Sequence, residues 1–371
     1  MKQFTILLFF FATVVSYDCS KTETTNIINP PSSQDTTTLK AVAPFAVGAA
    51  IDVSLLQNNT LYRNTLITQE SSITTENTLK WPSVQPSENT FDFSGGDYIA
   101  DFCVSNSKRM HSHCLIWYQS NPAWLNNFTG DSLAWENLFK THIQTVVAHY
   151  KGRAAGWDVV NEAFHNEDGS LRMNDVNPAD NFDDGCIWAR HIGRDYIARA
   201  FIYAHEADPD ALLFYNDYGQ EWSDRKTDSI IAMVNDLKAR NIPISGLGIQ
   251  MHTDINASKP GITNAIQKLA ATGLLIHISE LDISVNPSNN QSVVFSDALA
   301  QQQADRYAFI VQQYKLFVPV AQQYGITTWN VGDKDSWIRS YLNHKDWPLL
   351  FDDNYKRKTA FYRYRNALME K

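Results

Sequence analysis

The feature that most narrows the choice of fold is a repeated beat: a short apolar run, then a longer stretch with helical periodicity. Eight runs stand out: FAVGAAI (45–51), SSITTEN (71–77), RMHSHCLIW (109–117), GWDVVNE (156–162), ALLFYND (211–217), GLGIQMH (246–252), LLIHISE (274–280) and GITTWNV (325–331). Several are nearly continuous in apolar residues, as strands covered on both faces should be. Between them, SLAWENLFKTHIQTVVAHY (132–150) places Leu133, Leu138, Ile143, Val146 and Val147 at helical spacing. SDRKTDSIIAMVNDLKARN (223–241) opens on Ser223 as a cap and carries Ile230, Ile231, Val234 and Leu237. Eight strands alternating with helices predict an α/β protein, a (β/α)8 TIM barrel in a single domain. A doubly wound open sheet is the other arrangement such alternation permits. It usually needs fewer strands and often a glycine-rich phosphate turn, and the chain has neither GxGxxG nor GKS/T.

At 371 residues, with 44% apolar and 19% charged content, the chain is large enough for a sizeable core. Its net charge of −9 argues against nucleic acid as a partner. Met1-Lys2 followed by the apolar stretch from Phe4 to Val15 reads as an export signal over residues 1–18, too short to span a bilayer well. Residues 19–40, rich in Thr, Ser, Asn and Pro, read as a flexible tether, and 41–371 as the folded domain. Cys19 stands where an exported lipoprotein is cut and acylated, but Asp18 precedes it instead of a small residue. Simple secretion and membrane attachment through a lipid on Cys19 both stay open. Cys103, Cys114 and Cys186 form no complete disulfide framework and lack metal-ligand spacing; buried free thiols are the expectation, with a single bridge as the alternative. A monomer is expected.

In such barrels the chemistry sits at the carboxyl ends of the strands. The second run ends in Glu76-Asn77, the third in Trp117 after His113, and the fourth in Asn161-Glu162. The fifth ends in Asn216-Asp217, the sixth in Gln250 and His252, the seventh in Glu280 and the eighth in Trp329. Glu162 is the most pointed case, because a carboxylate closing an apolar strand is costly unless it is paired or its raised pKa is used. Glu280 ends the strand three strand–helix units later, across the expected mouth. Two carboxylates flanking a cleft are the minimum equipment for hydrolysing a glycosidic bond. Glu162, behind an apolar run, suits the acid/base; Glu280 in HISELDIS, supported by His252 held on Asp282, suits the nucleophile. A buried salt bridge between Glu162 and some Arg or Lys is the structural alternative.

The motifs then become specific. TTENTLKW (74–81), HCLIW (113–117), WDVVNEAF (157–164), GIQMHT (248–253), HISELDIS (277–284), ITTWNVGDKDSW (326–337) and PLLFDDNYKRKTAF (348–361) resemble, in order, the motifs of glycoside hydrolase family 10. Those are retaining endo-β-1,4-xylanases. The resemblance runs from about residue 41 to the C-terminus. It implies Glu162 as acid/base, Glu280 as nucleophile, and His252 with Asp282 as support for Glu280. Asn161 would contact the 2-hydroxyl of the sugar being cleaved, and Gln250 would sit beside the nucleophile. Glu76, Asn77, Lys80, His113 and Trp117 would bind sugars on the non-reducing side, Trp329 and Trp337 would wall the central subsite, and Tyr218 would stack on the leaving-group side. The implied partner is xylan or xylo-oligosaccharide, with no metal or organic cofactor needed. Each binding residue has a plainer alternative: core for the two tryptophans, solvated charge for Lys80, satisfied core histidine for His113. Two positions depart from the family pattern, Tyr118 in place of the usual His and Asn330 in place of the usual Gly. Two further functions stay open: another retaining barrel β-1,4-glycanase such as a glucanase, and a non-catalytic glycan-binding protein of the cell surface.

Overall fold

The computed structural model describes residues 36–370 apart from Asn181. The expected signal, Cys19 and the tether through residue 35 therefore lie outside the described residues. The tether was expected to run to residue 40, but Leu39–Val42 forms a first short helix. Leu39 is buried there and its N–H donates to Gln69 Oε1.

The strands are β1 (Ala46–Ile51), β2 (Ser72–Thr75), β3 (Arg109–Ser112), β4 (Ile116–Trp117), β5 (Ala154–Asn161), β6 (Leu212–Asp217), β7 (Gly246–Ile249), β8 (His252–Asp254), β9 (Leu275–Ser284) and β10 (Gln323–Thr328). Every pairing among them is parallel, in the order β10-β1-β2-β3-β5-β6-β7-β9, and β10 pairs with β9 to close the ring. This is the eight-stranded barrel expected from the eight runs. Two of the runs are not single strands. The third breaks after Ser112, and its end returns as β4 against Val160 and Asn161 of β5. The sixth breaks after Ile249 through Met251 at φ +60°, and its end returns as β8 against Asp282–Ser284 of β9. Each break re-aims the last residues of a strand toward the mouth.

Between strands and helices lies the apolar core, which includes Trp157, Trp188, Phe139 and Phe201, all fully buried. Burying side chains of this kind contributes roughly 1.5–3 kcal/mol each. The helix Ser132–His149 is capped by Asp131, whose side chain accepts from Ala134 N–H. Its buried face is Trp135, Phe139, His142, Ile143, Val146 and Val147, while Leu133, expected on that face, is exposed in the first turn. Ser223 caps Asp224–Ala239 as expected. Cys103, Cys114 and Cys186 are buried free thiols.

The barrel interior is polar where it rises toward the mouth. Asp158 of β5 accepts from His111 Nε2 (3.0 Å) through one oxygen and from His113 Nδ1 (2.9 Å) through the other. His111 Nδ1 in turn meets Tyr324 OH at 3.1 Å. Burial opposes the charge on Asp158, but His111 and His113 hold its carboxyl well below the usual range.

Candidate active site

Parallel register sets the site. Asn161 lies level with Asn216, and Asp217 with Ile249, so the ends of β5, β6 and β7 reach one rim. Glu162, the residue after β5, has φ +55°, which ends the strand. Its N–H donates to Asn216 O (2.9 Å). Glu162 is 7% exposed. Oε1 accepts from Asn161 Nδ2 (3.0 Å) and Gln250 Nε2 (2.8 Å), and Oε2 from Trp117 Nε1 (2.9 Å). All three donors are neutral, and among the described residues no Lys or Arg forms an ion pair with it. Burial raises its pKa, the charge of Asp217 adds to the rise, Gln250 pulls it down, and Glu280 raises it further. The salt-bridge alternative is thereby set aside.

Glu280, in the middle of β9, is 4% exposed. Oε1 accepts from Asn216 Nδ2 (2.7 Å) and Oε2 meets His252 Nε2 (3.1 Å). His252 Nδ1 is held by Asp282 Oδ2 at 2.9 Å, and Trp337 Nε1 donates to that same oxygen at 2.8 Å. Burial alone would lower the His252 pKa; Asp282 and Glu280 outweigh it and push it up to about 10. An imidazolium therefore sits between two carboxylates at neutral pH, with both nitrogens donating.

Asn216 joins the two halves. Its Nδ2 donates to Asn161 Oδ1 (2.9 Å) as well as to Glu280, and its Oδ1 accepts from Ser279 Oγ (2.6 Å). Room for it comes from Gly248 on the neighbouring strand, where a Cβ would lie 2.0 Å from Asn216 Oδ1. Asn216 was not among the residues expected to act; its place at the end of the fifth run was the available signal.

The remaining expected residues fall into two groups. Lys80 Nζ donates to Asn77 Oδ1 (2.8 Å) and lies 5.0 Å from the Trp117 ring centroid, so these three share one side of the mouth. Trp329 stands edge-on to His113 (5.3 Å) and to His252 (6.1 Å), and Trp337 lies 5.0 Å from His252. Glu76, after β2, accepts from Asn330 Nδ2. On the far side, Tyr218 OH accepts from Asn166 Nδ2 (2.7 Å), with Lys226 Nζ 4.0 Å from its ring. Lys226 itself is fully buried in an ion pair with Asp217 (2.7 Å).

Gln250 was expected beside Glu280; its backbone carbonyl accepts from Glu280 N–H (3.0 Å), and its side chain donates to Glu162 (2.8 Å). His113 is half of each alternative, with one ring nitrogen satisfied inside the barrel by Asp158 and one ring edge against Trp329. Tyr118 is buried under the Arg172 guanidinium (4.1 Å), and its OH accepts from Gln119 Nε2 (2.6 Å).

A closed parallel barrel whose carboxylates, amides and indoles meet at the carboxyl ends of its strands has the build of a barrel enzyme. Comparison with known proteins makes this particular. Residues 37–367 match the model of glycosyl hydrolase family 10. An endo-1,4-beta-xylanase of Geobacillus stearothermophilus is 34% identical over 335 residues, covering 87% of this chain and 95% of that protein. A beta-1,4-xylanase of Dictyoglomus thermophilum is 36% identical over 327 residues, covering 86% and 87%. Among solved structures, a mutant of xylanase 10C from Cellvibrio japonicus in complex with xylopentaose superposes with a TM-score of 0.82 at 32% identity, covering 90% of this chain and 69% of that one. The chain belongs to glycosyl hydrolase family 10.

Proposed function

We propose that the protein is a retaining endo-β-1,4-xylanase in which Glu162 is the acid/base and Glu280 the nucleophile. The observation that carries this reading is the unlike environment of two equally buried carboxyls joined through Asn161 and Asn216. Glu162, raised in pKa and served by neutral donors, holds the proton that the leaving oxygen needs. Glu280, against the His252 imidazolium, stays ionised to attack the anomeric carbon. In the first step the C–O bond to the leaving sugar breaks as Glu162 gives up its proton and the Glu280 ester forms. In the second, Glu162 takes a proton from water, which displaces Glu280 and restores the configuration at the anomeric carbon. Asn161 bonds the 2-hydroxyl of the sugar being cleaved, where a contact that tightens in the transition state counts most. Trp329 and Trp337 close around that sugar and favour xylose, which lacks the hydroxymethyl group of glucose. Lys80, Asn77, Glu76, His113 and Trp117 hold the non-reducing side, and Tyr218 the leaving-group side. The xylopentaose bound to the Cellvibrio relative supports xylan as the substrate class. Rates of reducing-sugar release on xylan and on carboxymethylcellulose test this directly: faster cellulose cleavage would point to a glucanase instead.

A further inference from the structure

Asn330 follows Trp329 at the end of β10, with φ +92°, a backbone conformation that L side chains rarely adopt. The chain therefore places a side chain where the backbone favours none, and buries it to 2% exposure. Both ends of its amide are engaged. Oδ1 accepts from Tyr62 OH (2.9 Å) and from Val331 N–H (3.0 Å), while Nδ2 donates to Glu76 Oε2 (2.9 Å). A backbone N–H can only donate, so the Val331 contact fixes which end is oxygen and turns the NH2 toward Glu76. Tyr62 is itself fully buried, its OH accepting from Asp52 N–H (3.2 Å). A directed series of hydrogen bonds thus runs from the backbone after β1, through Tyr62 and Asn330, to the carboxylate after β2.

We propose that Asn330 is a positioning residue for Glu76 and thereby sets how tightly the second sugar on the non-reducing side is held. This rests on the reading of Glu76 as a sugar-binding group given above. A free Glu side chain at a rim samples many rotamers, and each contact with a sugar must first overcome that freedom. The Asn330 amide fixes one Glu76 oxygen and leaves lone pairs over for a sugar hydroxyl. Ordering a binding group before the ligand arrives improves affinity without any new contact to the ligand.

The test compares Asn330→Asp, Asn330→Gly and Glu76→Ala on two chromogenic substrates. The nitrophenyl β-glycoside of xylobiose fills two positions on the non-reducing side, that of xylose only one. Aspartate at position 330 still accepts from Tyr62 and Val331, but it replaces the amide donor facing Glu76 with a second carboxyl. Asn330→Asp should lower kcat/KM on the xylobioside by about tenfold, mostly through KM, and on the xyloside by no more than about twofold. Glycine suits the backbone at this position, so Asn330→Gly keeps the fold and should show the same selectivity at smaller size. Equal losses on both substrates, or none on either, would overturn the proposal. If Glu76→Ala is selective and neither Asn330 variant is, only the role of Asn330 falls. If Glu76→Ala shows no selectivity, the sugar-binding role of Glu76 falls with it.

Discussion

Glu162 and Glu280 are the same residue type, nearly equally buried, at the mouth of one barrel, yet their surroundings differ in kind. Around Glu162 the donors are two amides and an indole, none charged; among nearby charges Asp217 and Glu280 raise its pKa and Lys226, paired with Asp217, lowers it. Around Glu280 the donors are one amide and His252, which Asp282 keeps charged. A neutral donor such as Gln250 favours the anion modestly, whereas a cation favours it strongly. The pair teaches that burial by itself assigns no role. What differs between them is the charge on the groups that donate to each.

That contrast can be broken most severely at Glu280. Glu280→Ala should abolish turnover on xylan, by on the order of 10⁴-fold or more, because no covalent intermediate can form. Reducing-sugar assays check this, and activity near that of the unmodified enzyme would place the nucleophile elsewhere. Glu162→Ala should cost about 10²–10⁴-fold on xylan. The loss should shrink for nitrophenyl glycosides, whose leaving groups need no proton; an equal loss on both would deny Glu162 the role of acid. A stability effect comes next. Asp217→Asn strands the buried Lys226 and should destabilise the fold by about 3–5 kcal/mol in urea unfolding, with Asp217→Asn/Lys226→Met recovering part of it. The smallest effect sharpens the comparison through pH. Gln250 lowers the pKa of Glu162, so Gln250→Ala should raise it, keep the acid form to higher pH, and shift the alkaline limb of the kcat/KM profile upward. An unmoved or lowered limb would detach that limb from Glu162.

The barrel was legible because parallel strands covered on both faces leave apolar runs, and their endings are polar only where a rim needs them. Glu162, Glu280, His252 and Asp282 were legible for the same reason, being out of place in such runs. What escaped depended on where the strands turn aside. The breaks at 113–115 and 250–251 follow from pairing of β4 with β5 and of β8 with β9, which no periodicity records. The side chain of Gln250 could point to either carboxyl until Met251 took its left-handed turn. Asn216 reads as an ordinary strand end until register sets it level with Asn161. The burial of Lys226 has no mark in its helix's own pattern, since its partners Asp217 and Asn166 come from other elements.

The ring is completed by its final strand: β10 bonds both β9 and β1, and Asn330 then reaches back to Glu76. A nascent chain stopped before Gln323 would already hold both acidic groups, yet it would present two unpaired sheet edges and no wall on one side. Such a fragment is prone to associate with its own kind rather than to work. The rim is complete only once β10 has joined β9 to β1.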